Sequence, residues 1–133
     1  MMLDDYVQRL AKELELASPI RKETQGVYVL SIDEGLEITI SDLAPGFSFH
    51  CAIAPCPKVN EETFLTQAML ANLFGQGTEG AVLGLDEEGN ILTLSIENAQ
   101  EIDYKIFQET LEDFLNAVDY WRDEVAETSE PTK

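Results

Sequence analysis

Hydrophobic and polar positions along this chain follow two periods. From about Asp4 to Leu16, the apolar residues Leu3, Tyr6, Val7, Leu10, Ala11 and Leu14 recur every three or four positions, which places them on one face of a helix. Asp4 and Asp5 stand where a helix N-terminus favours anions. Ser18-Pro19 ends the helix, because the residue before proline resists helical angles. A strand follows from Val27 to Ile32, apolar on both faces, and Asp33-Glu34-Gly35 turns the chain. Leu36 to Ser41 alternates, with Leu36, Ile38 and Ile40 on one side and Glu37, Thr39 and Ser41 on the other. Ala44-Pro45-Gly46 is the next turn. Phe47 to Ala54 alternates again, with Phe47, Phe49, Cys51 and Ile53 sharing a face.

A second helix is predicted from about Glu61 to Phe74, with Asn60 as its N-cap. Its apolar residues surround much of the circumference, so it is buried on more than one side. The second burying surface is either the core of the same domain or another subunit. A glycine-rich link, residues 75–80, leads into a hairpin of Ala81 to Leu85 and Ile91 to Ile96, turned by Asp86-Glu87-Glu88-Gly89-Asn90. The last helix begins near Asp103. Its apolar positions Tyr104, Phe107, Leu111, Phe114, Val118, Trp121 and Val125 are spaced 3, 4, 3, 4, 3, 4, and Ile106 and Leu115 widen that stripe to suit a helix lying on a sheet. The predicted order is α-β-β-β-α-β-β-α. This is a single α+β domain of residues 1–127, with helices packed on a mainly antiparallel sheet, followed by a disordered polar tail of residues 128–133.

Charge narrows the function. Eight Lys+Arg stand against 26 Asp+Glu, a net charge of −18. Phosphate neutralisation needs basic residues, so a direct nucleic-acid binder is excluded, and docking on an anionic membrane is disfavoured. No apolar run approaches the roughly 18 residues of a membrane span, and Met1 to Tyr6 does not read as a signal peptide. Two cysteines are too few for a secreted disulfide scaffold. A cytoplasmic protein with free thiols is expected. Residues 97–133 hold eleven acids against Lys105, Arg122 and Lys133, which is either a solvated helix face or a surface for a basic partner.

Candidate chemistry is thin. Gly75 to Gly80 matches G-x-G-x-x-G, but it follows a helix and precedes a strand, the reverse of the dinucleotide fingerprint, and no Lys or Arg occurs between residues 59 and 104. No cofactor is expected. His50 and Cys51 are adjacent on a strand and face opposite ways, so with Cys56 they make no metal site. Cys51 is a small core residue, whereas Cys56, between two prolines, is expected to be exposed. With one histidine and no G-x-S-x-G elbow, no catalytic relay is visible. Asp86 to Glu97 has the length of a calcium loop, but Ile91 to Ile96 reads as a strand, so a hairpin turn is expected there.

Three segments carry a resemblance. They are Leu10-Ala11-Lys12-Glu13-Leu14-Glu15-Leu16; Ala71-Asn72-Leu73-Phe74 running through Gly80 into Ala81-Val82-Leu83-Gly84-Leu85-Asp86; and Phe114 to Arg122. With the size, acidity and element order, they resemble the class I type III secretion chaperones, the Tir and Yop effector chaperones, over roughly residues 5–125. The resemblance implies a non-enzymatic bacterial cytoplasmic protein that needs neither nucleotide nor metal. It implies a homodimer, or a heterodimer with a related chaperone, formed through the second helix and the neighbouring strand. Such a dimer holds an extended segment of a secreted effector or secretion-apparatus protein and releases it at the secretion ATPase. The dimer interface is then expected on Leu70, Ala71, Leu73, Phe74 and Val82, and the client groove on Leu10 and Leu14 with Tyr28 and Leu30. The alternative reading is an acidic regulator that binds a basic protein, such as a transcription-machinery component. It differs by predicting strongly salt-sensitive binding. A hydrolase using paired carboxylates is the third reading.

Overall fold

The computed structural model describes residues 3–14, 20–33, 36–43, 46–74, 81–98 and 103–129. The elements are α1 (Leu3–Leu14), β1 (Arg21–Thr24), β2 (Val27–Asp33), β3 (Leu36–Asp42), β4 (Phe47–Pro55), α2 (Glu61–Phe74), β5 (Val82–Leu85), β6 (Ile91–Asn98) and α3 (Tyr104–Ser129). The six strands form one sheet in the order β1-β2-β3-β4-β6-β5, every neighbouring pair antiparallel. The α+β class is as the pattern predicts. One strand is additional: β1 is Arg-Lys-Glu-Thr, exposed throughout, and offers no hydrophobic alternation to read. The helix α3 continues through Thr128 and Ser129, past the boundary drawn at residue 127; residues 130–133 lie outside the described residues.

The core lies between the sheet and α3. Alternation along β3 and β4 sends Leu36, Ile38, Ile40, Phe47, Phe49, Cys51 and Ile53 inward, all buried. The 3-4 stripe of α3 meets them, with Phe107 5.2 Å from Phe47 and 5.6 Å from Phe49 between ring centroids, and Phe114 5.6 Å from Phe49. Offset and edge-on contacts of this kind add about 0.5–1.5 kcal/mol each to simple burial. Asp103 caps α3: its Oδ1 accepts from the Ile106 N–H at 2.9 Å.

Helix α1 lies across β2 and α3 with Leu3, Val7 and Leu10 buried. Two tyrosines fasten its ends. Tyr28 of β2 donates to Asp4 (2.9 Å), and Tyr104 of α3 donates to Glu13 (2.8 Å). Both hydroxyls are pushed up to about 12, by burial first and then by the carboxylate each one bonds. The Arg9 guanidinium covers the Tyr104 ring at 4.2 Å.

The face of the sheet away from the helices carries mainly polar and small residues, among them Glu37, Thr39, Ser48, His50, Ala52 and Ser95. Val29 is buried there beneath a clasp. Arg21, directly opposite Val29, reaches across β2 to Glu37 on β3 at 2.8 Å.

Candidate interaction surface

Helix α2 packs one side against the rest of the molecule. Phe64 meets Trp121 of α3 edge to face at 6.1 Å, and Ala68 is buried. The other side faces out: Met69 is 71% exposed and Leu70 51%. The neighbouring edge strand β5 adds Leu85 at 41%, while Val82, at 59%, is exposed on the other face of the sheet. Between helix and strand lies an apolar cleft of about 350 Å³, lined by Leu65, Ala68, Met69, Asn72, Leu83, Gly84, Leu85 and Leu92. None of these residues is charged, and residues 63–78 carry no charge at all in a chain of net −18.

Asn72 joins the two elements. Its Nδ2 donates to the Leu83 carbonyl at 2.8 Å, and the Leu83 N–H donates to its Oδ1 at 2.7 Å.

Of the residues expected at a dimer interface, Leu70 is on the outer side of α2 and Ala71 is half-buried against the core. Val82 belongs to the same edge strand but alternates onto the helix-free face, opposite the cleft. The side chains of Leu73 and Phe74 lie outside the described residues. Sequence reasoning did not select Met69, Leu85 or Asn72. The first two were visible as apolar positions beside the chosen ones, but no pattern marks an asparagine that bonds a strand eleven residues away.

Three of the residues expected to line a client groove lie in the interior. Leu10, Tyr28 and Leu30 are buried, because the apolar stripe of α1 is pressed onto β2 and closes over them. They form the α1–sheet core instead of lining an open groove. The Leu14 side chain lies outside the described residues. What is open nearby is polar. The outer edge of β1 is exposed, and a notch of about 300 Å³ lies between the first turn of α1, the β1–β2 turn and the end of β3, lined by Leu3, Asp4, Lys22, Gln25, Gly26, Tyr28 and Asp42.

The reactive groups are placed structurally. His50 is exposed on the helix-free face, its Nδ1 2.9 Å from the Ser95 hydroxyl, while Cys51 points into the core. Burial pushes the Cys51 thiol up to about 11. Cys56 is buried, not exposed as expected. Its N–H donates to the Asn90 carbonyl at 2.8 Å, which draws it beneath the β5–β6 turn. Its thiol is also raised, chiefly by burial, and protonated thiols are poor nucleophiles. Asp86 does what a hairpin requires: its Oδ1 accepts from the backbone N–H groups of Asn90 (2.7 Å) and Ile91 (3.2 Å). Gly89 supplies the positive φ of 75° in that turn. The glycine-rich segment 75–80 lies outside the described residues.

Among the described residues, both thiols are buried and the exposed apolar surface of α2 and β5 carries no charge. Comparison with known proteins supplies the class: the chain belongs to the Tir chaperone protein (CesT) family, whose model matches residues 6–122. It is thus a chaperone and not an enzyme. It is similar to the Chlamydia pneumoniae protein CPj0713/CpB0740, 28% identical over 123 residues that cover 90% of this chain and 93% of that one. Among solved structures it resembles a chain of the ExsC–ExsE complex (17% identity, TM-score 0.72, 92% of each chain). A chain of the HopA1–SchA chaperone–effector complex is also similar (17%, 0.66, 91% of this chain and 93% of that one). So is a chain of the heterodimeric ExoU–SpcU complex from the type III secretion system of Pseudomonas aeruginosa (20%, 0.58, 98% and 100%). At these identities the structures establish the fold. Among the described residues, no helix is long and apolar enough to cross a membrane.

Proposed function

We propose that this chain is a type III secretion chaperone that works as a dimer in the bacterial cytoplasm and holds an extended segment of a secreted effector or secretion-apparatus protein. Family membership carries the chaperone function. One observation supports the dimer: the apolar surface of α2 and β5 is the place where two strongly acidic copies can meet without opposing carboxylates. Met69, Leu70 and Leu85 supply its exposed apolar area. The solved complex described as chaperone–effector supports the kind of client.

The client docks on the opposite side of the molecule, along the exposed edge of β1. An extended chain gains backbone hydrogen bonds at such an edge by acting as a further strand. It lies beside Leu10, Tyr28 and Leu30, not upon them.

Co-expression with the genomic neighbours, followed by light scattering, tests both parts. The expected result is a complex of two copies with one client that persists at high salt. Paired Met69→Glu and Leu70→Glu substitutions are expected to halve the mass of the free protein. An unchanged mass would remove the dimer assignment, and a partner lost as salt rises would favour the acidic-regulator alternative.

A further inference from the structure

We propose that Asn72 is the positioning residue of the α2–β5 surface: its side-chain amide stands in for a neighbouring strand, locking β5 to α2 and occupying the sheet edge at Leu83. The proposal rests on reading this surface as the contact between two copies. In an antiparallel edge strand, alternate residues turn both the N–H and the C=O away from the sheet. Leu83 is such a residue in β5, and both of its peptide groups are taken by Asn72, at 2.7 and 2.8 Å. A carboxamide carries a donor and an acceptor side by side, as a backbone peptide does. Aspartate lacks the donor, and glutamine is longer by one methylene.

Two consequences follow from the geometry. Unpaired edge groups are a template for another strand, and here that template is occupied at the middle of a four-residue strand. Joining β5 to β5 in a continuous sheet would have to displace this amide from Leu83, so on this proposal two copies meet through side chains. In addition, two bonds from the last turn of α2 fix both its rotation and its height against β5. Met69 stands one turn earlier on the same helix, at the lip of the cleft, and Leu85 stands two residues beyond Leu83. Their relative placement depends on the Asn72 amide.

The test measures the dimer dissociation constant of the full chain, Asn72→Ala and Asn72→Asp by sedimentation, with amide hydrogen exchange at Leu83. Far-UV circular dichroism serves as the control for folding. Asn72→Ala is expected to weaken association by about tenfold or more, the order that losing two hydrogen bonds produces, and to speed exchange of the Leu83 N–H while the helical signal is kept. Asn72→Asp keeps the acceptor and is expected to retain more Leu83 protection while still weakening association. Should Asn72→Ala not fold, Asn72→Asp and the unmodified chain decide. A Leu83 N–H in the unmodified chain that exchanges as fast as an open edge amide overturns the proposal. So does dimerisation unchanged within about twofold in the variants, which leaves the dimer standing. An unmodified chain that stays monomeric at every concentration overturns the dimer reading itself.

Discussion

At the residue scale, single polar groups hold backbone that the core does not reach. Asp86 is the clearest example. Its carboxyl lies below the ordinary value of 3.8 because backbone N–H groups bond it, that of Asn90 first and that of Ile91 second. A lowered folded value means that the stabilisation is complete above the ordinary value and is lost as pH falls through the folded one. Asp86→Ala is therefore expected to lower the melting temperature at neutral pH, and the gap from the unmodified chain should close in acid below about pH 4. A gap that stays constant down to the acid limit would sink this account. The two thiols make a second case. Both are buried and raised, Cys51 to about 11, so neither should react with a disulfide reagent at pH 8 until denaturant is added. Immediate titration of either one in the native protein would contradict the packing.

At the element scale, the tyrosine fastenings of α1 give a pH dependence of opposite sign. Tyr28 and Tyr104 are raised to about 12, so their contribution is complete below the unfolded value of 10 and is lost as pH rises toward 12. Tyr28→Phe with Tyr104→Phe should flatten the alkaline loss of stability between pH 10 and 12, followed by thermal melts; an unchanged alkaline slope would mean that α1 is held by packing alone. Packing dominates elsewhere. Phe107→Ala, which removes a ring that touches Phe47 and Phe49, should cost about 3–5 kcal/mol in urea unfolding. Elements with a period were legible in the sequence: the 3-4 spacing of α3 and the alternation of β3 and β4 are direct records of the face each one buries. The strand β1 was not legible, because its four residues bury nothing and its pairing comes from the β2 edge and the Arg21 clasp. The candidate surface was legible in part. The outer side of α2 announces itself by apolar residues without a stripe. The α1–β2 contact defeats inspection, since an apolar stripe looks the same whether a sheet or a client covers it.

At the scale of the whole molecule, charge sets the terms of association. Each copy carries −18, so two copies repel one another over distances comparable to the screening length. If their contact is the charge-free face of α2 and β5, added salt removes the repulsion and leaves the attraction. Self-association is therefore expected to tighten from low to high salt, measured by sedimentation equilibrium. Weakening with salt would point to a contact made by ion pairs, and thus to another face. The negative charge and the Asn72 amide on the β5 edge act together against runaway assembly, the first at long range and the second at contact.

The shortness of β1 has a mechanical consequence. A four-residue edge strand turns the peptide groups of only two residues outward. A chain docked there and drawn from one end would peel away, breaking its bonds in succession instead of together. Peeling needs far less force than shearing a long strand from a sheet. If β1 is the client's docking edge, as proposed, such a grip suits a client released lengthwise from one end.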